Sequence, residues 1–600
     1  MEWTNDLTPY GENKNFYQLD TTGGKEMKDK LLSRFKEDVS IVLCGEAGQG
    51  IQTVEHILTQ TLKLSGYHVF STQEYMSRIR GGNNSTLVRI SSNRVSAPVD
   101  RINLLIPFSP GAVRHVQKKI SPATVLMGEK KIYGNEYQEE RAIDVPLSEI
   151  ASEVGGPIYS NTVAVAVLAG LLKVEREVLD HYLRHHFAGK DDNTIQKNLE
   201  AARRGYEVSD ELLRNGKLQI DLVKHNDIKE EILIDGVEAL AMGAIAGGCN
   251  FLSFYPMSPS TAVAVVLAQH SKEFGIIVEQ AEDEISAMNM AIGAWYAGAR
   301  GLASTSGGGF ALMVEGLSLA GMIESPLVIH IGQRPGPATG LPTRTEQGEL
   351  LFALYAGHGE FPRIILAPGT IEDCFYLAQK AFNLADKYQV PVFILTDQYL
   401  LESHYNVPSL DPARIPLEKH FVETKPGYKR YRLTETGLSP RGIPGFGEGL
   451  VVLDSDEHDE GGHITEDLDL RTKMVNKRFK KLDLLKKDMI PPELVGPENY
   501  KTLIVGWGST YHAITEALGR LGTKDVAFLH FKQVYPLHPD TIAYIKKAKK
   551  TVIVENNGTA QFGQLIRLQS GFDMDRKILK YNGLPFSVEE LEDQLKSVLD

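Results

Sequence analysis

Cysteine is scarce in this chain: its 600 residues include three, Cys44, Cys249 and Cys374, which lie far apart. No CxxC pair occurs, which argues against a disulfide framework and against an iron–sulfur cluster or structural zinc site built by this chain alone. Isolated thiols of this kind are typical of a reducing compartment, and we expect the protein to be cytoplasmic.

Long apolar runs and an excess of positive charge are also absent. No stretch of about 18 apolar residues occurs, and the longest candidate, 162–172, is too short to span a bilayer. The first residues, MEWTNDLTPYGENKNF, lack the basic start and apolar stretch of a secretory signal. The net charge of −13 argues against nucleic acid or an anionic membrane as a main partner.

Length and composition predict several globular domains, because 600 residues exceed one core. Short apolar runs of strand type alternate with helical stretches, which predicts an α/β protein with several doubly wound, mostly parallel sheets. The expected units are an extension (1–37), two α/β domains (38–215 and 230–405), an excursion with a helix near 470–487 (406–495) and a third α/β domain (496–600).

A first glycine cluster, Gly45, Gly48 and Gly50, stands between a predicted strand and a predicted helix. Glycines there let backbone amides approach a phosphate at the positive end of the helix. The spacing is GxxGxG and not GxGxxG, so a dinucleotide-dependent dehydrogenase is disfavoured and a plain tight turn is an equal alternative. Three arginines downstream form a basic island for an anion or a partner carboxylate, or a solvated loop: Arg78, Arg80 and Arg89.

The segment FYPMSPST follows a predicted strand directly. Pro256 and Pro259 stop the strand and stiffen the loop. They fix Ser258 at the carboxyl edge of a parallel sheet, where ligands bind in such sheets. A rigid turn without a ligand is the alternative.

A carboxylate and a glycine run follow the next two strands. Glu284 is expected in the first turn of a helix rich in alanine and glycine, where the helix dipole favours its charge. The small residues of this helix permit close approach of another backbone or of a flat cofactor. The run STSGGGF, 304–310, opens a further helix and suits backbone contact with a ligand.

Arg334 ends an apolar strand and precedes a stiff loop, PGPATGLPT, that bears Thr339 and Thr343 and leads to Arg344. A partly desolvated guanidinium seeks a carboxylate or phosphate in forked geometry, and a structural salt bridge is the alternative. Further on, His458 and His463 stand in the acidic stretch DSDEHDEGGHITED. A metal site is conceivable there, but the spacing is unspecific and an exposed acidic loop is favoured.

Together these segments resemble the 2-oxoacid:ferredoxin oxidoreductases, in particular large subunits in which a gamma domain precedes an alpha domain. The resemblance covers about 38–600 and rests on order and spacing: GEAGQGI, SRIRGGNNS, YPMSPS, EDEISAMNMAIGA, TSGGGF, QRPGPATGLPT and EHDEGGHITED. It implies that 230–405 is the pyrimidine-binding domain of a thiamine enzyme, and that 496–600 is a transketolase-C-like domain.

The resemblance also implies a second chain. The GDG…N motif that binds magnesium and the diphosphate of thiamine is absent, as are cluster cysteines. A smaller beta subunit is expected to carry the diphosphate site with Mg²⁺ and a [4Fe–4S] cluster, in an assembly of two copies of each chain. This chain alone would be inactive, and ferredoxin is expected to dock mainly on the beta subunit.

Residue roles follow from the matching motifs. Glu284 matches the glutamate that hydrogen-bonds the aminopyrimidine of thiamine diphosphate. Arg334 looks like the arginine that holds the substrate carboxylate; Arg344 competes for that role or meets a distal carboxylate. Ser258 keeps a hydroxyl where the family more often has threonine, and Thr343 would lie beside the variable part of the substrate. The resemblance places five residues at the cofactor: Tyr255, Pro256, Ser304, Thr305 and Ser306.

The implied reaction is oxidative decarboxylation of a 2-oxoacid, with coenzyme A accepting the acyl group and ferredoxin the electrons, reversible given a strong reductant. The fused gamma–alpha order favours 2-oxoglutarate. Pyruvate, a branched-chain 2-oxoacid or an aryl pyruvate are alternatives within the family. A non-catalytic assembly protein that kept the fold is an alternative of another class; the retained Glu284, Arg334 and Arg344 speak against it.

Overall fold

The computed structural model describes residues 33–76, 82–133 and 141–599. Arg78 and Arg80 of the predicted basic island, and nearly all of the 1–37 extension, lie outside these ranges. Among the described helices, none combines the length and the hydropathy that crossing a membrane requires.

Strands and helices alternate along the chain largely as the apolar runs predict. The first elements are β1 (Ser33–Lys36), β2 (Asp38–Glu46), α1 (Ile51–Leu64), β3 (His68–Glu74), β4 (Asn83–Ser91), β5 (Leu104–Pro107), α2 (Ala112–His115), β6 (Val125–Gly128), α3 (Lys130–Tyr133), β7 (Ala142–Asp144), α4 (Leu147–Val154), α5 (Ser160–Leu171), α6 (Arg176–His186), α7 (Asp192–Arg214) and β8 (Leu218–Asp221). The next are β9 (Ile232–Asp235), α8 (Gly236–Ala246), β10 (Phe251–Phe254), α9 (Thr261–Gln269), α10 (Ser271–Phe274), β11 (Ile277–Gln280), α11 (Glu284–Tyr296), β12 (Gly301–Thr305), α12 (Gly307–Met322), β13 (Leu327–Gln333), α13 (Leu350–Tyr355), β14 (Ile364–Leu366), α14 (Ile371–Tyr388), β15 (Pro391–Asp397) and α15 (Gln398–Leu401). The last are β16 (His404–Val407), β17 (Val422–Thr424), β18 (Gly442–Gly447), α16 (Leu468–Leu485), β19 (Glu493–Val495), β20 (Thr502–Trp507), α17 (Tyr511–Leu521), β21 (Val526–Phe531), β22 (Gln533–Tyr535), α18 (Thr541–Lys547), β23 (Lys550–Glu555), α19 (Gln561–Ser570), β24 (Arg576–Leu579) and α20 (Val588–Leu599).

Three large sheets organise these elements, and the predicted α/β class with several parallel sheets is confirmed. The site lies on the second sheet, with strand order β11-β10-β12-β13-β15-β14-β22, in which every pairing except β14–β22 is parallel. Strands β12, β13 and β15 are buried along their whole length, as expected for strands covered by helices on both faces. The third sheet has the order β19-β21-β20-β23-β24.

The first sheet is mixed, with strand order β7-β6-β5-β2-β4-β3-β16-β9. Strand β4 lies between β2 and β3 and is antiparallel to both, so these two strands of the predicted βαβ start are not neighbours. The last two strands of the first sheet, β16 and β9, come from later in the chain. Strand β16 pairs with β3 on one side and with β9 on the other. Strand β22 follows β21 of the third sheet along the chain, but it pairs with β14 and forms an edge of the second sheet.

Arg89 lies on β4, and the solvated-loop interpretation of this arginine is wrong. Its side chain is 2% exposed and its Nη2 atom lies 2.6 Å from Asp38 Oδ2 and 2.7 Å from Glu516 Oε1. Its Nη1 atom also donates to the Ala97 carbonyl at 3.0 Å. A fully paired guanidinium has no free edge for an external anion, so Arg89 ties the first sheet to α17 instead.

Buried charges also hold the 406–495 excursion against the second sheet. Helix α16, which confirms the helix expected near 470–487, presents Lys477 and Lys481 to Glu324 at 2.5 and 2.6 Å. Asp386 on α14 lies 2.5 Å from Arg441 Nη2 and 3.2 Å from Arg300 Nη1, and all three side chains are buried. The two arginines lie near the ring of Trp295, at 5.7 and 5.9 Å from its centroid.

We expect Asp386→Ala to destabilise the chain by about 3–5 kcal/mol, because removing one partner of a buried ion pair leaves its counter-charges unpaired. The measurement is urea unfolding followed by tryptophan fluorescence, which Trp295 reports from beside the two arginines. Asp483→Ala is the matched control, since this carboxylate pairs with Lys486 in an exposed position. An equal unfolding midpoint for the two variants would contradict the stabilising role of Asp386.

Candidate active site

The predicted site residues leave the second sheet at the carboxyl ends of neighbouring strands. Tyr255–Ser258 follows β10, Ser306 follows β12 and Arg334 follows β13. Since β10, β12 and β13 are parallel and adjacent, their carboxyl ends meet at one edge of the sheet. The sequence therefore brings these segments together through strand order alone.

The main-chain carbonyl of Ser258 is the meeting point of three segments. It accepts a hydrogen bond from Arg334 Nη1 at 2.6 Å and another from Ser306 Oγ at 2.7 Å. The Ser258 residue itself is exposed, and Tyr255 and Pro256 before it are exposed as well. The structure thus joins Ser258, Ser306 and Arg334 and leaves the 255–258 loop facing solvent.

Arg334 is 6% exposed, as its place at the end of an apolar strand predicts. Burial lowers the pKa of its guanidinium, and the negative charge of Glu349 opposes that shift. Its one hydrogen bond among the described residues goes to a carbonyl, and no carboxylate of these residues forms an ion pair with it. The structural salt bridge considered as an alternative is therefore not seen, and the remaining guanidinium donors can bind an anion.

Glu284 occupies the first turn of α11. Asp283 caps the helix by accepting a hydrogen bond from the Ser286 amide at 2.8 Å. The Glu284 side chain is 4% exposed, yet within the described ranges its carboxylate makes neither a hydrogen bond nor an ion pair. A Cβ at Gly309 would lie 2.5 Å from Glu284 Oε1 and 2.2 Å from Thr305 Oγ1, so only glycine leaves room for this carboxylate.

The residues around the start of α12 divide into two groups. The hydroxyl of Ser304 points into the sheet, where His330 Nδ1 lies 2.9 Å from its Oγ and His330 Nε2 lies 2.8 Å from Thr396 Oγ1. Burial lowers the pKa of His330 to about 3, so its ring is neutral near pH 7. Ser304 and Thr305 are buried at the base of the site, whereas Ser306 reaches the 255–258 loop.

Thr343 and Arg344 contact the first sheet. Thr343 Oγ1 donates to the Tyr75 carbonyl at 2.9 Å, and Arg344 Nη1 lies 3.4 Å from Glu74 Oε2. Arg344 also lines a cavity between the first sheet, α15 and the C-terminal segment, which Lys119 and Lys580 share. The contacts of Arg344 are thus with the first sheet and the C-terminal segment, and those of Arg334 are with the 255–258 loop.

The glycine turn lies close to the contacts of Thr343 and Arg344, because Glu74 and Tyr75 line the cleft that Gly48 and Gly50 border. Gly48 and Gly50 have positive φ angles of 92° and 76°, and with β3 and β4 they line a cleft of about 330 Å³. In the acidic stretch His458 is fully buried, and the centroid of its ring lies 3.8 Å from that of Tyr431, with the two planes tilted by 35°. Among the described residues no three His, Cys, Asp or Glu side chains form a metal-binding group, so a metal site at His458 and His463 is not supported.

Sequence reasoning missed two residues near the site, His330 and Glu349. His330 is hidden inside the apolar run of β13, where only its polarity sets it apart. Glu349 directly precedes the apolar helix α13, and its carboxyl lies against Gly307. Both are buried polar side chains on elements that the sequence does predict, and an acid before an apolar helix was the available signal for Glu349.

Comparison with known proteins places this geometry in a family. Residues 242–477 match the model of the thiamine diphosphate-binding domain of pyruvate flavodoxin/ferredoxin oxidoreductase, and 40–208 match the model of pyruvate ferredoxin/flavodoxin oxidoreductase. The chain is 32% identical over 627 residues to a 2-oxoacid:ferredoxin oxidoreductase subunit alpha of a Sulfolobus species, covering 94% of this chain and 97% of the relative.

The names of two further relatives contain a substrate. The 2-oxoglutarate synthase subunit KorA of Archaeoglobus fulgidus is 34% identical over 340 residues, which cover 56% of this chain and 89% of that protein. The structure of a 2-oxoglutarate:ferredoxin oxidoreductase from Magnetococcus marinus, solved with 2-oxoglutarate, coenzyme A and succinyl-CoA bound, is 30% identical, covers 94% of this chain and all of that one, and superposes with a TM-score of 0.88. Full-length similarity at this level shows that the chain belongs to the family of 2-oxoacid:ferredoxin oxidoreductase alpha subunits.

Proposed function

We propose that this chain supplies the pyrimidine side of a thiamine diphosphate site and the substrate arginine of a 2-oxoacid:ferredoxin oxidoreductase, with 2-oxoglutarate as its substrate. The observation that carries the proposal is Glu284: a buried carboxylate without a partner in the described residues, in a cradle that Gly309 keeps open. A ligand that donates a hydrogen bond would stabilise such a group, since unpaired buried polar atoms are costly.

The residues present fit thiamine diphosphate. Glu284 would accept a hydrogen bond from the aminopyrimidine, and Gly307–Gly309 would allow the ring system to approach the backbone of α12. When bound, thiamine diphosphate supplies a nucleophilic carbon for the 2-oxo group and an electron sink for the loss of carbon dioxide. This chain would position the cofactor and the substrate and supply the charges of Glu284 and Arg334. The burial of Ser304, Thr305 and Glu284 would keep water out of the site.

Arg334 would hold the carboxylate next to the 2-oxo carbon. Its guanidinium is fixed by the Ser258 carbonyl, which itself is fixed by Ser306, so little conformational freedom is lost on binding. The exposed Ser258 side chain would contact the substrate as well. For a dicarboxylic substrate, Arg344 is the second basic residue on the same loop, and Thr343 lies beside it.

A partner subunit is needed to complete the site. The three cysteines of this chain are buried and separate, which leaves the [4Fe–4S] cluster to a beta subunit. Mg²⁺ and the diphosphate contacts are assigned to the same subunit because this sequence has no GDG…N motif. Large apolar side chains on the elements of the site are exposed and would be covered by that subunit: Tyr255, Ile285, Leu312 and Leu341. We propose a cytoplasmic assembly of two copies of each chain, in which ferredoxin docks mainly on the beta subunit.

The overall reaction is 2-oxoglutarate plus coenzyme A plus two oxidised ferredoxins, giving succinyl-CoA, carbon dioxide, one proton and two reduced ferredoxins. The substrate preference is supported by the relatives named for 2-oxoglutarate. Pyruvate and branched-chain or aryl 2-oxoacids are the alternatives within the family.

We expect the chain, purified without oxygen together with its partner subunit, to reduce viologen in a reaction that needs both coenzyme A and 2-oxoglutarate. Parallel assays use pyruvate and a branched-chain 2-oxoacid at equal concentration. Viologen reduction with pyruvate and not with 2-oxoglutarate would support the proposed reaction type but identify pyruvate as the substrate. A complex that is loaded with cluster and thiamine diphosphate, yet reduces viologen with none of these acids, would support the non-catalytic alternative.

A further inference from the structure

Glu349 is a buried acid with no role in the reaction described above, and its amide contacts the side chain of Gln333, the residue before the proposed substrate arginine. Its carboxyl lies against Gly307, the first residue of α12: a Cβ at Gly307 would meet Glu349 Oε1 at 2.4 Å and Cδ at 2.8 Å. Its Oε2 atom is buried and has no hydrogen-bond partner. Glu349 and Arg334 influence each other electrostatically but form no ion pair, so the guanidinium is not neutralised.

The position of Glu349 is fixed from two sides. Its amide donates to Gln333 Oε1 at 3.1 Å, and Gln333 directly precedes Arg334. On the other side Gln561 of α19 donates to the Gly348 carbonyl at 2.7 Å and accepts from the Leu351 amide at 3.0 Å. Gln333 and Gln561 therefore hold the main chain at Glu349 in place.

The surroundings favour the protonated carboxyl at neutral pH. Burial raises the pKa of Glu349 to about 8, the nearby charge of Glu346 acts in the same direction, and Arg334 opposes them. The other described elements packed here add no charge that faces Glu349: Gly307–Gly309 have no side chains, and α13 (LLFALY) has no acidic or basic residue. The one charged residue of α19, Arg567, is exposed and pairs with Asp573 at 2.9 Å. An ionised Glu349 would face Arg334 as a second anion next to any bound carboxylate.

We propose that Glu349 is a positioning residue whose proton sets how strongly Arg334 binds the carboxylate of the 2-oxoacid; this inference rests on the proposed function of Arg334. With Glu349 protonated, the full charge of Arg334 is available to the substrate. With Glu349 ionised, two carboxylates share one guanidinium, and substrate binding must draw a proton from solvent onto Glu349. Binding is then weaker by the free energy of that protonation.

The sign of the effect follows from this linkage. Substrate binds the protonated form, so its affinity is constant at neutral pH and falls as pH rises through the range in which Glu349 loses its proton. One pH unit above the pKa of Glu349, near pH 9, KM for the 2-oxoacid is expected to be about tenfold above its value at pH 7. The acyl-transfer step does not involve Glu349, so the ionisation of this group should not appear in the pH profile of kcat.

The test compares wild type and Glu349→Gln, each as the complex with the partner subunit, by measuring KM for 2-oxoglutarate from pH 7 to pH 9.5. Glutamine keeps the size of the side chain against Gly307 but cannot ionise. We expect KM of the variant to stay within about twofold across this range, with kcat as in wild type. Glu346→Gln should move the rise in KM to lower pH, because a like charge is removed; exposed Glu360→Gln is the control.

A second readout does not depend on turnover. Calorimetric titration of 2-oxoglutarate at pH 9, repeated in buffers of different ionisation enthalpy, should show uptake of about one proton per bound substrate in wild type and none in Glu349→Gln. Equal proton uptake in both proteins, or an unchanged rise in KM in the variant, would overturn the role of Glu349 alone. Absence of turnover with any 2-oxoacid at pH 7 would overturn the proposed function, and this inference with it.

Discussion

Replacing Glu284 by glutamine should lower kcat for 2-oxoacid-dependent viologen reduction by about 10²–10⁴-fold, the usual contribution of a positioned acid–base group. Glutamine preserves the volume that Gly309 leaves free but presents an amide where the proposed pyrimidine contact needs a carboxylate. Assembly should be unaffected, because Asp283 supplies the cap of α11 and a first-turn carboxylate adds only about 0.3–1 kcal/mol to helix stability.

The matched control is Glu282→Gln, an exposed acid two residues before Glu284. This variant removes the same charge just before α11 without entering the site, and its kcat should equal that of wild type. Binding of the partner subunit is checked by co-purification for both variants. If Glu284→Gln retained a kcat within twofold of wild type, Glu284 would have no part in the chemistry.

Removing the guanidinium of Arg334 should mainly weaken substrate capture. A charge-assisted hydrogen bond to a carboxylate contributes about 1.5–3 kcal/mol, so Arg334→Ala is expected to raise KM for every 2-oxoacid by about 10–150-fold. Arg334→Lys should fall in between, since an ammonium cannot form the forked contact. Initial rates over a range of 2-oxoacid concentrations, at saturating coenzyme A, separate KM from kcat.

Arg344→Ala distinguishes the two arginines. If Arg344 meets a distal carboxylate, the variant should raise KM for 2-oxoglutarate while leaving KM for pyruvate unchanged, and Arg334→Ala should raise both. The reverse pattern would assign the carboxylate next to the 2-oxo group to Arg344. Because Arg344 pairs with Glu74, the thermal stability of each variant complex is measured alongside to detect loosening of the first sheet.

The parts of the site that the sequence predicts are those fixed by strand order. Ser258, Ser306 and Arg334 follow apolar runs that read as strands, and parallel strands bring their carboxyl ends to one edge whatever the connecting loops do. The backbone contact of Arg334 could not be read in this way, because it depends on where the Ser258 carbonyl points. That orientation is a property of loop conformation and not of residue type.

Contacts between residues far apart in the chain explain why the roles of Arg89 and Glu349 could not be predicted from the sequence. Arg89 looked like part of a solvated basic island because its partners, Asp38 and Glu516, lie on two other elements, one of them in the C-terminal segment. Glu349 gave little signal because its burial depends on α12 and α19, not on its own neighbours. Local periodicity reports which face of an element is buried, but not which distant side chain buries it.

The late arrival of β16 in the first sheet has a consequence for biosynthesis. Strand β3 is an edge until β16, near residue 405, emerges from the ribosome, and at about 5–20 residues per second this takes on the order of tens of seconds. During that time β3 offers unpaired amides and carbonyls to any neighbouring nascent chain. Production at high ribosome density should therefore favour aggregation through this edge, and a lower ribosome density or a chaperone that shields β3 should increase the yield of folded chain.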